Sequence, residues 1–148
     1  MQNYEINSDT LAIIPISNYK SKIIEKNSEL EVDMTPMKII DNSCRYFGSS
    51  YKGRFFGTRS LIGVSHKAPI IVEESRELIF FPTSSPRQYE CAWISLKNIN
   101  DYKRTPDASI IIFNTGYNLE LDMSYGSLDN QILRAARLES VLRKRKVA

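Results

Sequence analysis

The sequence predicts an α+β domain in which most strands pair antiparallel. Three observations support this prediction. Short apolar, β-branched runs fill the first third of the chain, apolar residues at helical spacing follow, and further short apolar runs precede a final helical stretch. The chain has 148 residues, of which 42% are hydrophobic, and this suits one domain with a sizeable core. We therefore predict a single domain over residues 1–148, with a basic helical tail at about 127–148.

The first third of the chain has the pattern of three strands, at 10–16, 22–26 and 29–34. The third strand alternates strictly between apolar and acidic residues, which predicts that one of its faces is buried. Asn27 and Ser28 suit a hairpin turn between the second and third strands.

Two helices are predicted in the centre of the chain. The first begins at Thr35–Pro36, because threonine caps free N–H groups and proline suits the first helical position. Gly48 suits the C′ position that ends this helix. Its apolar residues share one face: Met37, Ile40, Cys44 and Phe47. The second helix is predicted over about 50–62, although its two glycines lower the helix propensity by about 1 kcal/mol each.

The second half of the chain predicts five strands, at 69–72, 77–81, 91–96, 109–113 and 117–121. Asn114–Gly116 forms a short hairpin loop between the last two strands. The last element is helical, with Ser127 as its predicted N-cap. An apolar stripe runs along this helix between charged residues: Ile132, Ala135, Ala136, Leu138 and Leu142.

Charge is distributed unevenly along the chain. Residues 42–72 hold 5 basic and no acidic side chains, and residues 128–148 hold 6 basic and 2 acidic ones, while the remainder is slightly acidic. Such blocks are typical of a surface that binds a polyanion. The five cations of the first block alternate with aromatic residues, which suits a nucleic-acid surface but equally a solvated face over an aromatic core. The basic run at 143–146 has two interpretations. Its cations could interact favourably with the dipole at the helix C-terminus, or they could form an auxiliary phosphate contact.

The sequence predicts neither an enzyme nor a metal or cofactor site. It has no G-x-S-x-G elbow, P-loop or G-x-G-x-x-G motif. Cys44 and His66 are the one candidate catalytic pair, but Cys44 falls on an apolar helix face and is predicted to be a buried hydrophobe. We also expect no membrane partner and no small-molecule substrate. The lack of an export signal and the two cysteines predict a cytoplasmic protein with reduced thiols.

The stretch Phe47–Arg54 carries the letters F-G-S-S-Y-K-G-R. This resembles the F-G-S-S-Y-x-G-R signature of the ComK family, the competence transcription factors of Bacillus and related Gram-positive bacteria. Other stretches agree with the family in the same order, so the resemblance extends from about Tyr4 to the last helix: 21–26, 39–45, 65–70, 80–83, 91–95 and 130–131.

The resemblance implies an activator of DNA-uptake and recombination genes. Such proteins bind paired A·T-rich boxes in double-stranded DNA, mainly through the minor groove, as a dimer or a dimer of dimers. An adaptor protein hands them to a Clp-type protease. A narrow A·T minor groove concentrates negative potential and attracts arginine. We expect the DNA contacts to come from the cations and hydroxyl donors in or beside the signature: Arg45, Ser49, Ser50, Tyr51, Lys52, Arg54, Arg59 and Lys67.

Longer family members continue well past the predicted last helix. We expect this chain to form a homodimer or tetramer. A short form could instead be an interaction module that pairs with full-length relatives and titrates them without activating transcription. The two hypotheses differ in what they require of the cations at 42–72. DNA binding needs them on one exposed face, whereas a module that has lost DNA binding could have them in internal ion pairs.

Overall fold

The computed structural model describes residues 1–146, and Val147 and Ala148 at the end of the predicted tail lie outside them. The α+β fold with antiparallel strands is confirmed. The elements follow one another in this order: β1 Thr10–Ser17, β2 Lys20–Glu25, β3 Glu29–Val32, α1 Pro36–Tyr46, α2 Tyr51–Ile62, β4 Ile70–Glu73, β5 Leu78–Pro82, β6 Trp93–Ser95, β7 Ile99–Arg104, β8 Ser109–Phe113, β9 Asn118–Leu121 and α3 Tyr125–Lys146.

The strands form two antiparallel sheets. The larger sheet has six strands in the order β3-β2-β1-β6-β5-β4, and the smaller one has three in the order β7-β8-β9. β1 lies near the centre of the larger sheet, where Ile13 is opposite Ile23 on one side and Trp93 on the other. This pairing with β6 joins the N-terminal meander to the β4–β6 meander.

Two hydrophobic clusters cover the two faces of the larger sheet. Consecutive residues on a strand point to opposite faces. Accordingly Phe80 and Trp93 belong to one cluster, while their neighbours Phe81 and Ile94 belong to the other. Helix α1 and the start of α2 cover the first face, and α3 with the smaller sheet covers the second. Because α2 begins in one cluster and ends in the other, it passes around the edge strand β4.

Two sequence predictions need correction. β7 was not predicted, because its residues Ile-Asn-Asp-Tyr-Lys-Arg are largely polar and exposed, and asparagine and aspartate are disfavoured in strands. Ser127 is not the N-cap of the last helix, which begins at Tyr125. The hydroxyl of Ser124 instead accepts a hydrogen bond from the backbone N–H of Ser127 at 3.1 Å, so the cap lies three residues earlier.

The remaining helix boundaries agree with the predictions. Thr35 caps α1 by accepting a hydrogen bond from the Lys38 amide, and Gly48 follows with a φ of +91°. Within residues 1–146, no helix is long and apolar enough to cross a membrane.

Candidate functional site

The signature stretch forms a tight corner between α1 and α2. At the end of α1, the amide of Gly48 donates to the Arg45 carbonyl at 3.0 Å and the amide of Ser49 to the Cys44 carbonyl at 2.9 Å. This is the Schellman pattern, and it requires the left-handed backbone that Gly48 adopts. Ser50 then caps α2, because its hydroxyl accepts a hydrogen bond from the Gly53 amide at 3.0 Å. Ser49 and Ser50 therefore both take part in the corner.

Asp41 fixes this corner from α1. Its carboxylate accepts hydrogen bonds from the Tyr51 amide and from Nε of Arg45, each at 2.9 Å. Burial raises the pKa of Asp41, but the hydrogen bonds from Arg45 and Tyr51 outweigh it and the pKa is lowered overall. Arg45 is exposed, and its guanidinium is held against this carboxylate.

The cations of α2 lie on different sides of the helix. Lys52 and Arg54 are two positions apart and so project about 200° from each other around the axis. Arg54 extends toward the β4–β5 turn, where its Nη1 lies 3.5 Å from a carboxylate oxygen of Glu74. Its side chain is only 22% exposed. Lys52 and Arg59 are both exposed and, seven positions apart, share the opposite side.

A groove of about 640 Å³ opens on the side of α2 that carries Lys52. We call it the basic groove. Helix α2, the loop at 65–67 and the loop at 85–87 form its walls, and no aspartate or glutamate lines it. Its main lining residues are Tyr51, Lys52, Phe55, His66, Lys67 and Arg87. Within residues 1–146, neither Lys52, Lys67 nor Arg87 has a carboxylate within ion-pair distance.

The loop that carries Lys67 is held by α3. The Gln131 side-chain amide donates to the Lys67 carbonyl at 2.9 Å and to the Pro82 carbonyl at 2.8 Å. Arg134 donates to the His66 carbonyl at 3.1 Å. Lys67 itself has a left-handed backbone conformation, with a φ of 50°. The loop that carries Lys67 is therefore attached to α3 by side-chain hydrogen bonds.

The floor of the basic groove is aromatic. The Tyr51 ring is half-buried and packs edge-on against Trp93, with 6.2 Å between ring centroids. Burial raises the pKa of the Tyr51 hydroxyl, so that hydroxyl stays protonated at neutral pH. A neutral hydroxyl beside several cations can donate to a phosphate oxygen.

Arg59 continues the charged side of α2 beyond the groove. Its guanidinium lies 5.6 Å from the centroid of the Phe56 ring, and Phe56 is 45% exposed. Among the described residues Arg59 forms no ion pair, so its charge remains available to an external anion.

The structure thus brings together three of the eight predicted site residues, Tyr51, Lys52 and Lys67, with Arg59 on the same side of α2. Arg45 and Arg54 are engaged by carboxylates, and Ser49 and Ser50 lie in the corner. Sequence reasoning missed Arg87. Its Ser-Ser-Pro-Arg context indicates a loop, but no local signal predicts that this loop lies beside α2.

The C-terminal cations fall into two kinds. Arg143 binds Glu77 through two hydrogen bonds, of 2.5 and 2.7 Å, and Lys146 donates to the Glu74 carbonyl at 3.0 Å. Lys144 and Arg145 are exposed on the same helical turns. Half of the basic run therefore attaches α3 to the β4–β5 turn.

Cys44 lies in the core as the helix pattern predicted, fully buried, and burial raises its pKa to about 12. His66 is exposed at the rim of the basic groove. A buried, protonated thiol is a poor nucleophile. Over residues 1–146, no three histidine, cysteine or acidic side chains come together in a group that could hold a metal ion.

Comparison with known proteins identifies the relatives of this chain. The family model described as "ComK protein" matches residues 1–147. The competence transcription factor of Bacillus subtilis (strain 168) is 40% identical over 149 aligned positions, which cover 98% of this chain and 78% of that protein. No solved structure matches. The similarity thus extends far beyond the signature corner, and the chain belongs to the ComK family.

Proposed function

We propose that this protein is a DNA-binding regulator of transcription, of the competence type, and that the basic groove contacts DNA phosphates. One observation carries the proposal. The basic groove gathers Lys52, Lys67 and Arg87 around an aromatic floor, with no carboxylate in its lining. Unpaired cations are what counterion release requires, because each one that meets a phosphate frees a condensed counterion. The name of the Bacillus subtilis relative supports the same function.

The proposed target is double-stranded DNA with paired A·T-rich boxes, contacted mainly in the minor groove by a homodimer or a dimer of dimers. Two boxes are most simply recognised by two subunits related by symmetry. Readout in the minor groove distinguishes A·T from G·C and little more, so box spacing and DNA shape would supply the remaining specificity. The function involves no catalysis, and its setting is the cytoplasm, at the nucleoid. A Clp-protease adaptor protein remains a proposed partner.

Within this function the predicted contacts divide by role. The phosphates would be bound by Lys52, Arg59, Lys67 and Arg87, with Tyr51 as a donor on the groove floor. Ser49, Ser50 and the carboxylate-bound Arg45 and Arg54 would position α2 on the DNA without adding phosphate contacts of their own.

The test is fluorescence anisotropy with a labelled duplex that carries two A·T-rich boxes, against a G·C-rich duplex of equal length, over a salt series. Four phosphate-contacting cations predict a log–log slope of about −3.6 per bound subunit. A preference for the A·T duplex together with such a slope would support the proposal. Weak binding without preference would contradict sequence-specific recognition by this chain.

Two double variants locate the surface. Lys52→Gln with Arg87→Gln removes two groove cations, and we expect affinity to fall at least tenfold and the slope to lose about two. Lys38→Gln with Lys103→Gln is the matched control. Both lysines are exposed and lie outside the basic groove, and this double variant also loses two positive charges. Equal losses in the two doubles would mean that net charge, not the basic groove, drives binding.

The alternative function is an interaction module that pairs with or titrates full-length family members without activating transcription. The ion pairs of Arg45 with Asp41 and of Arg54 with Glu74 favour it, since they engage two of the five cations of the 42–72 block. It predicts association with a full-length relative and no measurable binding of the A·T duplex by this chain. Co-sedimentation with that relative, measured alongside the anisotropy, distinguishes the two functions.

A further inference from the structure

A second groove, of about 330 Å³, shares the 83–92 connection with the basic groove but uses different residues of it. We call it the acidic groove. Its floor is largely apolar and includes Ile14, Leu119 and Leu121, and three carboxylates stand at its rim: Glu90, Glu120 and Asp122. The lining contains no lysine or arginine. The same connection therefore presents Arg87 to one groove and Glu90 to the other.

Among residues 1–146, the rim carboxylates have no partner of opposite charge. All three are exposed, and within residues 1–146 none forms an ion pair. This contrasts with Glu73 at the end of β4 and with Glu74 and Glu77 of the β4–β5 turn, which are each paired with an arginine. A ligand that fits this charge must be cationic, which excludes a nucleic acid from the acidic groove.

The backbone of β9, beside the acidic groove, forms one edge of the smaller sheet. β9 is the last strand of the smaller sheet, and no described strand pairs with its outer edge. An edge strand presents unpaired N–H and C=O groups that an extended chain can bind. Leu119 and Leu121 of β9 pack on the core and are still partly exposed, so they would meet alternate side chains of such a chain.

We propose that the acidic groove binds an extended segment of a partner protein, in which apolar and cationic side chains alternate, by adding it as a strand to β9. The apolar side chains would cover Leu119 and Leu121, and the cations would face Glu90, Glu120 and Asp122. A second copy of this chain fits less well, because pairing β9 with β9 would bring Glu120 and Asp122 of both copies together. This inference does not depend on DNA binding.

The test uses a labelled octapeptide of alternating lysine and valine, with two control peptides in which glutamate replaces lysine or glycine replaces valine. We expect saturable binding of the lysine–valine peptide and at least tenfold weaker binding of both controls. Glu120→Lys should weaken the binding at least fivefold. Glu5→Lys is the matched control, because Glu5 is also exposed and the charge change is the same. Backbone amide shifts at 118–121 would report the site directly, and thermal melting verifies that both variants fold.

Several results would overturn the proposal. If the lysine–valine peptide shows no saturable binding, the acidic groove is not a peptide-binding site. If the glycine-containing peptide binds equally well, charge alone accounts for the binding and the apolar floor plays no part. If Glu120→Lys binds the peptide as tightly as the wild type, the peptide binds at a site other than the acidic groove. Sedimentation that shows a dimer dispersed by Glu120→Lys would assign the groove to a second copy instead. All of these measurements omit DNA, so they stand whether or not the A·T duplex binds.

Discussion

Single residues of one motif differ in what they can do, and Lys52 and Arg54 illustrate why. Both are cations of the signature, and charge alone predicts the same role for both. The helix separates them by about 200°, so Lys52 lines the basic groove while Arg54 extends to Glu74. Arg54 also keeps a buried Nε without a hydrogen-bond partner in the described part of the chain. Its environment is that of a residue joining α2 to the β4–β5 turn.

Arg54→Gln tests this distinction. We expect it to lower the free energy of unfolding by about 1 kcal/mol, because it removes the ion pair with Glu74 and much of the stem that packs there. The salt slope of DNA binding should stay the same. Urea denaturation and the anisotropy salt series measure the two effects.

Lys52→Gln is the matched comparison, since it changes the same charge on the same helix. It should leave the unfolding free energy within about 0.5 kcal/mol and reduce the salt slope by about one. If Arg54→Gln reduced the slope while stability held, Arg54 would be a phosphate contact, as the signature alone suggested.

At the scale of elements, the signature is explained largely by the corner that it builds. Gly48 supplies the left-handed residue after α1, and Ser50 caps α2. Gly53 leaves room for the corner, because a Cβ there would lie 3.0 Å from Oγ of Ser49 and 3.3 Å from Oγ of Ser50. Gly57 is different, since a Cβ there would meet nothing within 4 Å. The corner therefore accounts for one helical glycine and not for the other.

This difference predicts opposite outcomes for two alanine substitutions in α2. Gly57→Ala should raise the free energy of unfolding by about 0.5–1 kcal/mol, because alanine has the higher helix propensity and the site is open. Gly53→Ala should gain less or lose stability, because its Cβ would press on the serine hydroxyls of the corner. Urea denaturation of both variants measures this. Equal gains would show that Ser49 and Ser50 move aside at no cost.

Glu73, the last residue of β4, is expected to make the stability of the fold depend on pH. Burial raises the pKa of Glu73, but hydrogen bonds from Arg76 and Ser75 outweigh it and lower the pKa from 4.5 to about 2. A carboxylate whose pKa is lower in the folded state stabilises the fold above its unfolded pKa and loses that contribution as pH falls. We therefore expect Glu73→Gln to destabilise the protein at pH 7.

The same substitution should matter progressively less in acid. Between pH 4.5 and about 2 the wild-type glutamate becomes protonated, so its advantage over glutamine disappears. Thermal melting from pH 7 to pH 2 would show the two curves converging. A constant separation over this range would mean that packing, not charge, makes Glu73 important.

For the whole molecule, sequence patterns predict the fold much better than the site. Eight of the nine strands within residues 1–146 follow from apolar runs, and α1 follows from its threonine, proline and glycine boundaries, because these signals are local. β7 escapes prediction because its exposed face is polar and its strand character comes from pairing with β8. The basic groove needs Lys67 and Arg87 beside Lys52, and loops distant in sequence supply them. Only the folded chain reveals this juxtaposition.

The C-terminal helix is attached to the β4–β5 turn by part of its basic run, and its cations permit a matched test. Arg143 and Lys146 bind Glu77 and the Glu74 carbonyl, whereas Lys144 and Arg145 are exposed on the same helical turns. Arg143→Gln with Lys146→Gln should therefore lower Tm by about 2 °C relative to Lys144→Gln with Arg145→Gln. Both doubles remove two charges near the same helix end, so an effect through the helix dipole alone would lower Tm equally. An auxiliary phosphate contact would show instead as a reduced salt slope in the second double, with its Tm unchanged.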